Sequence, residues 1–348
     1  MGDSQAMPGT PGESKWLNRF AWLLSGLTLF LICSGGMVTS KGVGLAVPDW
    51  PTTFGYNMFL FPISQWIGGV FFEHTHRLIA SVIGILTIVL AVWLWRAETR
   101  RWMRILGVVA LGSVILQGVL GGLRVTLLKD EIGIFHACLA QAFFGLLVFI
   151  ALATSEHWIQ ANASSLEGAA VWLPIITVAL IYLQLGLGAT MRHQHRDLAI
   201  FDFPAAYGRV IPDVSAEALA RVNSWRDARA FSEVTAAQIW LQMVHRFVAL
   251  LIAGGVVGSW FLLSRSRGFA TETSVVLSRW WIFFLAVQIT LGAWVIWSNK
   301  AADIATAHVA VGATMLALGV AISALGLRSR GSIHHRTQES QMTYAQAQ

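Results

Sequence analysis

Eight stretches of mostly apolar residues, each long enough to cross a bilayer, take up most of the chain. A span needs about 20 such residues, and a helix satisfies its own backbone in hydrocarbon. The stretches lie at roughly 17–38, 71–95, 103–123, 132–153, 169–191, 237–263, 279–297 and 303–327. With 55% of residues apolar and 12% charged, the expected fold is an all-α integral membrane protein of eight transmembrane helices. Tryptophans near segment ends, among them Trp16, Trp95, Trp102, Trp158, Trp172 and Trp297, suit the interfacial belt, although any one of them also serves as lipid-facing bulk.

Short loops holding Lys and Arg mark the cytoplasmic side. Lys15, Arg19, Arg96, Arg100, Arg101, Arg104, Arg265, Arg267, Arg279, Arg328, Arg330 and Arg336 fall on one side, against Lys41, Arg124, Lys129 and Lys300 on the other. Both termini are therefore expected in the cytoplasm. This asymmetry accounts for the net charge of +6, so the charge is no sign of nucleic-acid binding. Residues 1–14 are polar, without Arg or an apolar core, unlike a signal or transit peptide. They and 328–348 are expected to be disordered cytoplasmic ends, in a bacterial plasma membrane. Cys33 and Cys138 lie inside spans and read as small buried hydrophobes.

The chain also repeats itself. At an offset of 153, Gly35 meets Gly188, Leu45 meets Leu198, Asp49 meets Asp202 and Pro51 meets Pro204; at 169, HTHRLIA (74–80) meets MVHRFVA (243–249). Gln117 meets Gln288 at 171 and His136 meets His308 at 172. Four spans separate the halves, so both enter the membrane in the same direction, a parallel repeat. The expected architecture is two four-helix bundles, 15–160 and 169–327. The odd helices carry LICSGG, QGVLGG, QLGLGA and QITLGA, each ending in two small residues. Small pairs suit close helix packing and equally leave room for a flat macrocycle.

His76, His136, His245 and His308 each fall within the first two turns of an even-numbered span. Ionisable groups are costly in a bilayer and usually mark a relay, a pathway or a cofactor. Bundles build cofactor sites from side chains on facing helices, and axial histidines hold haem iron. The pairs His76 with His136 and His245 with His308 therefore point to two haems; a core role is the plainer reading of a lone histidine, and recurrence in both halves tells against it. Zinc or copper is disfavoured, because no third ligand recurs. Arg77 and Arg246 follow the ligands of their halves and either snorkel or pair with a haem propionate. His74 is about 200° around the helix from His76, so it is set aside. His193 and His195 are expected in solvated loop positions. The segment 213–234 reads as an amphipathic surface helix over the second site or as a tolerated insertion.

The halves differ at Glu73, one turn before His76; its counterpart at offset 169 is Gln242. Either Glu73 is an interfacial carboxylate, solvated or paired with Arg77, or half one performs chemistry while half two holds a haem for electron transfer. In this order, GG-x-V-T with GLAVPDWP, Glu73-x-x-His76-Arg77, QGVLGGLRV and the later histidines His136, His245 and His308 resemble the haem A synthase family over essentially all eight spans. The resemblance implies haem O as substrate and haem A as product, one porphyrin methyl being oxidised to formyl through an alcohol and a gem-diol. It also implies substrate between His76 and His136 with Arg77, and a haem b cofactor between His245 and His308 with Arg246. Glu73 would be catalytic, and a haem O synthase would be a partner. Some family members carry a cysteine pair in the first outer loop; none stands between Lys41 and Val70 here, which leaves the electron acceptor open. A homo-oligomer is compatible with the sequence. Two other readings stay open: a quinol-linked dihaem cytochrome, disfavoured because all four ligands lie toward one face, and a haem transporter, disfavoured by the lack of prolines at helix centres.

Overall fold

The computed structural model describes residues 11–346 apart from 162–165, 167, 195–197 and 267–268. Ten α-helices carry the fold: α1 (Pro11–Ser40), α2 (Gly68–Ala97), α3 (Arg101–Leu127), α4 (Asp130–Ala153), the short α5 (Glu156–Gln160), α6 (Ala169–Gln194), α7 (Ala216–Asp227), α8 (Ala236–Arg265), α9 (Phe269–Trp297) and α10 (Ala302–Gln346). Eight of them, all except α5 and α7, are long and apolar enough to cross a membrane. No strand occurs among the described residues, as expected for an all-α membrane protein.

Each half closes a ring of four helices. In the first, α1 packs on α2 and α4, and α3 bridges α2 and α4; in the second, α6 packs on α8 and α10, and α9 bridges α8 and α10. The rings meet through α1 and α4 on one side and α6 and α10 on the other. Small residues permit the close crossings. A Cβ added at Gly107 would stand 3.2 Å from Leu94 of α2, and one at Gly319 would stand 2.6 Å from Val178 of α6. Many hydroxyls inside spans donate to the carbonyl one turn back, as Thr28 does to Leu24 and Thr87 to Ile83, so these carry no unsatisfied group into lipid.

The duplication is clearest in the loops. Asp49 accepts the amides of Phe54 and Gly55, and Asp202 those of Tyr207 and Gly208. A two-bond turn joins Thr53 to Tyr56 and another joins Ala206 to Arg209. Trp50–Pro51 and Phe203–Pro204 are both cis. All of these pairs stand 153 residues apart.

At the C-terminal end α10 runs on past the eighth span to Gln346. Beyond the span it has no proline and a single glycine, Gly331, so nothing in the sequence stops the helix. At the other end α1 begins at Pro11, a residue suited to a first helical position, while 1–10 lie outside the described residues. The segment 213–234 does hold a helix, α7, capped by the Ser215 hydroxyl. Leu219 and Val222 of α7 pack with Ile200, Ile239 and Met243, over the loop end of the second half.

Candidate functional site

The four histidines lie where the repeat puts them, one pair inside each ring. His76 is within electrostatic reach of His136, and His245 of His308. Each ring is backed by a glycine from the neighbouring odd helix. A Cβ added at Gly35 would stand 2.9 Å from Cε1 of His76, at Gly292 3.1 Å from His308, at Gly121 3.5 Å from His136 and at Gly188 3.7 Å from His245. These four glycines are the first members of the four small pairs. The small pairs thus make room for the imidazoles, a reading the sequence left open beside helix packing.

One turn before three of these glycines is a glutamine. Gln117 Nε2 donates to the His136 carbonyl at 3.0 Å and Gln184 Nε2 to that of His245 at 2.8 Å, while Gln288 Nε2 lies 3.5 Å from His308 Nε2. The Oε1 atoms of all three are buried without a partner. On α1 the corresponding residue of LICSGG is Leu31, so the first pair has one such amide and the second has two.

The Nδ1 atoms of all four rings are buried and unbonded. Among the described residues, His76, His136 and His245 make no side-chain hydrogen bond, and His308 makes only the long contact to Gln288. A buried polar atom left unpaired costs on the order of 1–3 kcal/mol. Four half-buried rings recurring at repeat-related places fit a group bound between the two of each half. The donor set, two imidazoles with a glycine behind each, is one that can hold haem iron axially. A group of three or more metal-binding side chains is absent among the described residues.

Arg77 and Arg246 both bond to the loop that precedes their helix. Arg77 donates to the carbonyls of Asp49 (2.8 Å), Thr52 (3.1 Å) and Val47 (3.0 Å) and to Glu73 Oε1 (2.7 Å), while Arg246 donates to those of Asp202, Pro204 and Ala205. Their terminal nitrogens brace the loops. Glu73 is buried, and its Oε2 accepts the Val47 amide at 3.0 Å. Gln242 instead holds Ile200, the equivalent of Val47, by both amide and carbonyl, at 2.9 and 3.1 Å. The Glu-to-Gln difference is thereby matched by a local change in who binds the loop carbonyl: Arg77 in half one, Gln242 itself in half two.

His74 is fully buried, with Nδ1 3.2 Å from Thr53 Oγ1 and its ring against Phe61 and Trp66, a packing role in the first loop. His193, expected in solvent, is half-buried against Gly133, and His195 lies outside the described residues. Two residues escaped the sequence reading. Arg124 acts electrostatically on both His76 and His136, and Arg192 of α6 reaches across to the Gly36 carbonyl and the Ser40 hydroxyl of α1. The comparison of halves that isolates Glu73 would also isolate Arg124, whose counterpart at offset 171 is Val295. The two sites adjoin where Gly36, next to Gly35, meets Thr306, two residues before His308.

A duplicated eight-helix membrane protein with two half-buried histidines in each half is the class that fold and site define. The family model for cytochrome oxidase assembly proteins (COX15-CtaA) matches residues 18–320. The chain belongs to that family, the haem A synthase family. It is similar to the heme A synthase of Beijerinckia indica subsp. indica, 26% identical over 366 residues that cover 95% of this chain and 97% of that protein. It is likewise similar to those of Shouchella clausii, 27% identical over 69% of this chain and 73% of the relative, and Geobacillus kaustophilus, 25% identical over 82% and 85%.

Proposed function

We propose that this chain is a haem A synthase that oxidises one methyl group of haem O to a formyl group. The observation that carries the reading is the recurrence of four half-buried histidines, two in each half and each backed by a glycine of the neighbouring span, in a chain of this family. His76 and His136 hold the substrate; His245 and His308 hold haem b, which when bound supplies one-electron redox chemistry. Each of two oxidations removes two electrons and two protons and adds the oxygen of one water, giving the alcohol and then the gem-diol. Loss of water leaves the formyl group. The electrons pass to an acceptor outside the chain.

Glu73 supplies a fixed negative charge one turn from His76. Each carboxylate oxygen accepts one bond from the protein and keeps a second lone pair. That charge stabilises positive charge developing on the oxidised carbon, and a free lone pair can take a proton from attacking water. Arg77 and the Val47 amide hold the carboxylate in place, which limits reorganisation. The protein would sit in a bacterial plasma membrane with both termini cytoplasmic and the sites toward the outer face, beside a haem O synthase that delivers substrate. The test is haem stoichiometry and ligation. The purified chain loaded with haem should bind two per polypeptide with low-spin bis-imidazole spectra, and His76→Ala and His245→Ala should each abolish one of them. A single haem, or spectra indifferent to these substitutions, would refute the proposal.

A further inference from the structure

Arg124 lies on α3 three residues past Gly121, the glycine behind His136, and so nearer the loop end of the bundle by about 4.5 Å of helix rise. Its guanidinium is wedged against Gly44 of the first loop, where an added Cβ would stand 3.1 Å from Nη1. A Cβ on Gly133 of α4 would meet both Arg124 Nε at 3.1 Å and His193 Cε1 at 2.7 Å. Among the described residues no hydrogen bond or ion pair satisfies this half-buried cation. Glu73 and Asp130 act on it only through space, and Glu73 is already held by Arg77 and Val47. The neighbouring Arg192 is bonded to Gly36 and Ser40. A planar group with five donors, partnerless and acting on both imidazoles of one site, is built for a carboxylate.

We infer that Arg124 is the carboxylate anchor of the His76/His136 site. It binds a ring carboxylate of the porphyrin and thereby fixes which edge of the macrocycle faces Glu73. The inference rests on the haem reading of that site. A disc held only through its iron can turn about the axis joining two imidazoles, and a single methyl is presented to chemistry only if that turning is stopped. One off-axis guanidinium–carboxylate pair stops it. The second site has Val295 at the equivalent position. Electron transfer through iron does not depend on which methyl faces which wall, so the second site has no need of the anchor.

The test uses the full-length protein in detergent, titrated with ferric protohaem and with its dimethyl ester. Binding at the first site is followed as the part of the Soret change lost in His76→Ala. Protohaem should bind there about 10- to 100-fold more tightly than the diester, the scale of a hydrogen bond to a charged group. Arg124→Leu should remove that preference and Arg124→Lys should restore part of it. The haem methyl resonances of the first site should be a single set in the unsubstituted protein and several sets in Arg124→Leu. The retained second-site spectrum reports that the variant is folded. Equal affinity for haem and diester, or an unchanged preference and a single methyl set in Arg124→Leu, would overturn the anchor while leaving the haem site intact. No haem signal dependent on His76 would overturn the site reading and the anchor with it.

Discussion

Replacing the four ring-backing glycines by alanine, one at a time, should give graded losses that follow the structure. Ordinary carbon contacts fall near 3.5–4.0 Å. At Gly35 the new methyl would stand 2.9 Å from the His76 ring, and at Gly292 3.1 Å from that of His308, so the ring or the helix must shift. Overpacking of this kind costs about 1–3 kcal/mol, which is about 5- to 150-fold in affinity if the strain falls on the ligand-bound state. At Gly121 and Gly188 the distances are 3.5 and 3.7 Å, ordinary contacts. There the loss should be under about twofold, and the better helix propensity of alanine, about 1 kcal/mol, should hold or raise stability. The assay is haem titration of each purified variant with thermal unfolding of the loaded protein. Gly35→Ala should weaken only the His76 site and Gly292→Ala only the His308 site. Equal effects at all four positions, or none at Gly35, would refute the view that these glycines exist to seat the imidazoles.

Three further outcomes follow from the same geometry. Glu73→Gln should keep haem bound and lower turnover by about 10²-fold, measured as haem A formed per enzyme; turnover equal to the unsubstituted protein would remove the carboxylate from the chemistry. His245→Ala or His308→Ala should leave the first site loaded but stall oxidation, seen as haem O retained without alcohol or formyl product. The turn at Asp49 should be acid-sensitive. Burial raises the Asp49 pKa, but bonds from Gly55, Thr52 and Phe54 outweigh it and hold the group below its ordinary value. A depressed carboxylate stabilises the fold above the unfolded pKa of about 3.9 and loses that contribution as pH falls through the lower folded value. The protection of the Phe54 and Gly55 amides, relative to their intrinsic exchange rates, should therefore be constant above about pH 4 and fall as pH drops below it, and Asp49→Asn should abolish that pH dependence.

The spans and the recurrence of the histidines were legible because each rests on a periodic signal: apolar length for the helices, and a second copy of the sequence for the histidines. Ring-backing by Gly35, Gly121, Gly188 and Gly292 was half legible, since small pairs serve helix packing and ligand seating alike and only coordinates separate the two. The loop-bracing of Arg77 was hidden because its partners are backbone carbonyls of residues 47–52, which leave no mark in side-chain sequence. Arg192 was hidden for a related reason: it acts across the boundary between halves, where a comparison of one half with the other has nothing to compare.

The central claim, conversion of a methyl group on a haem held in the first half, is tested most directly by haem extraction. The chain is expressed with and without a haem O synthase, purified, and its haems identified by chromatography and mass. The account predicts haem A or its alcohol precursor only when the synthase is present, and haem b in both preparations. Haem b alone in both, with haem O shown to be available in the cells, would contradict it.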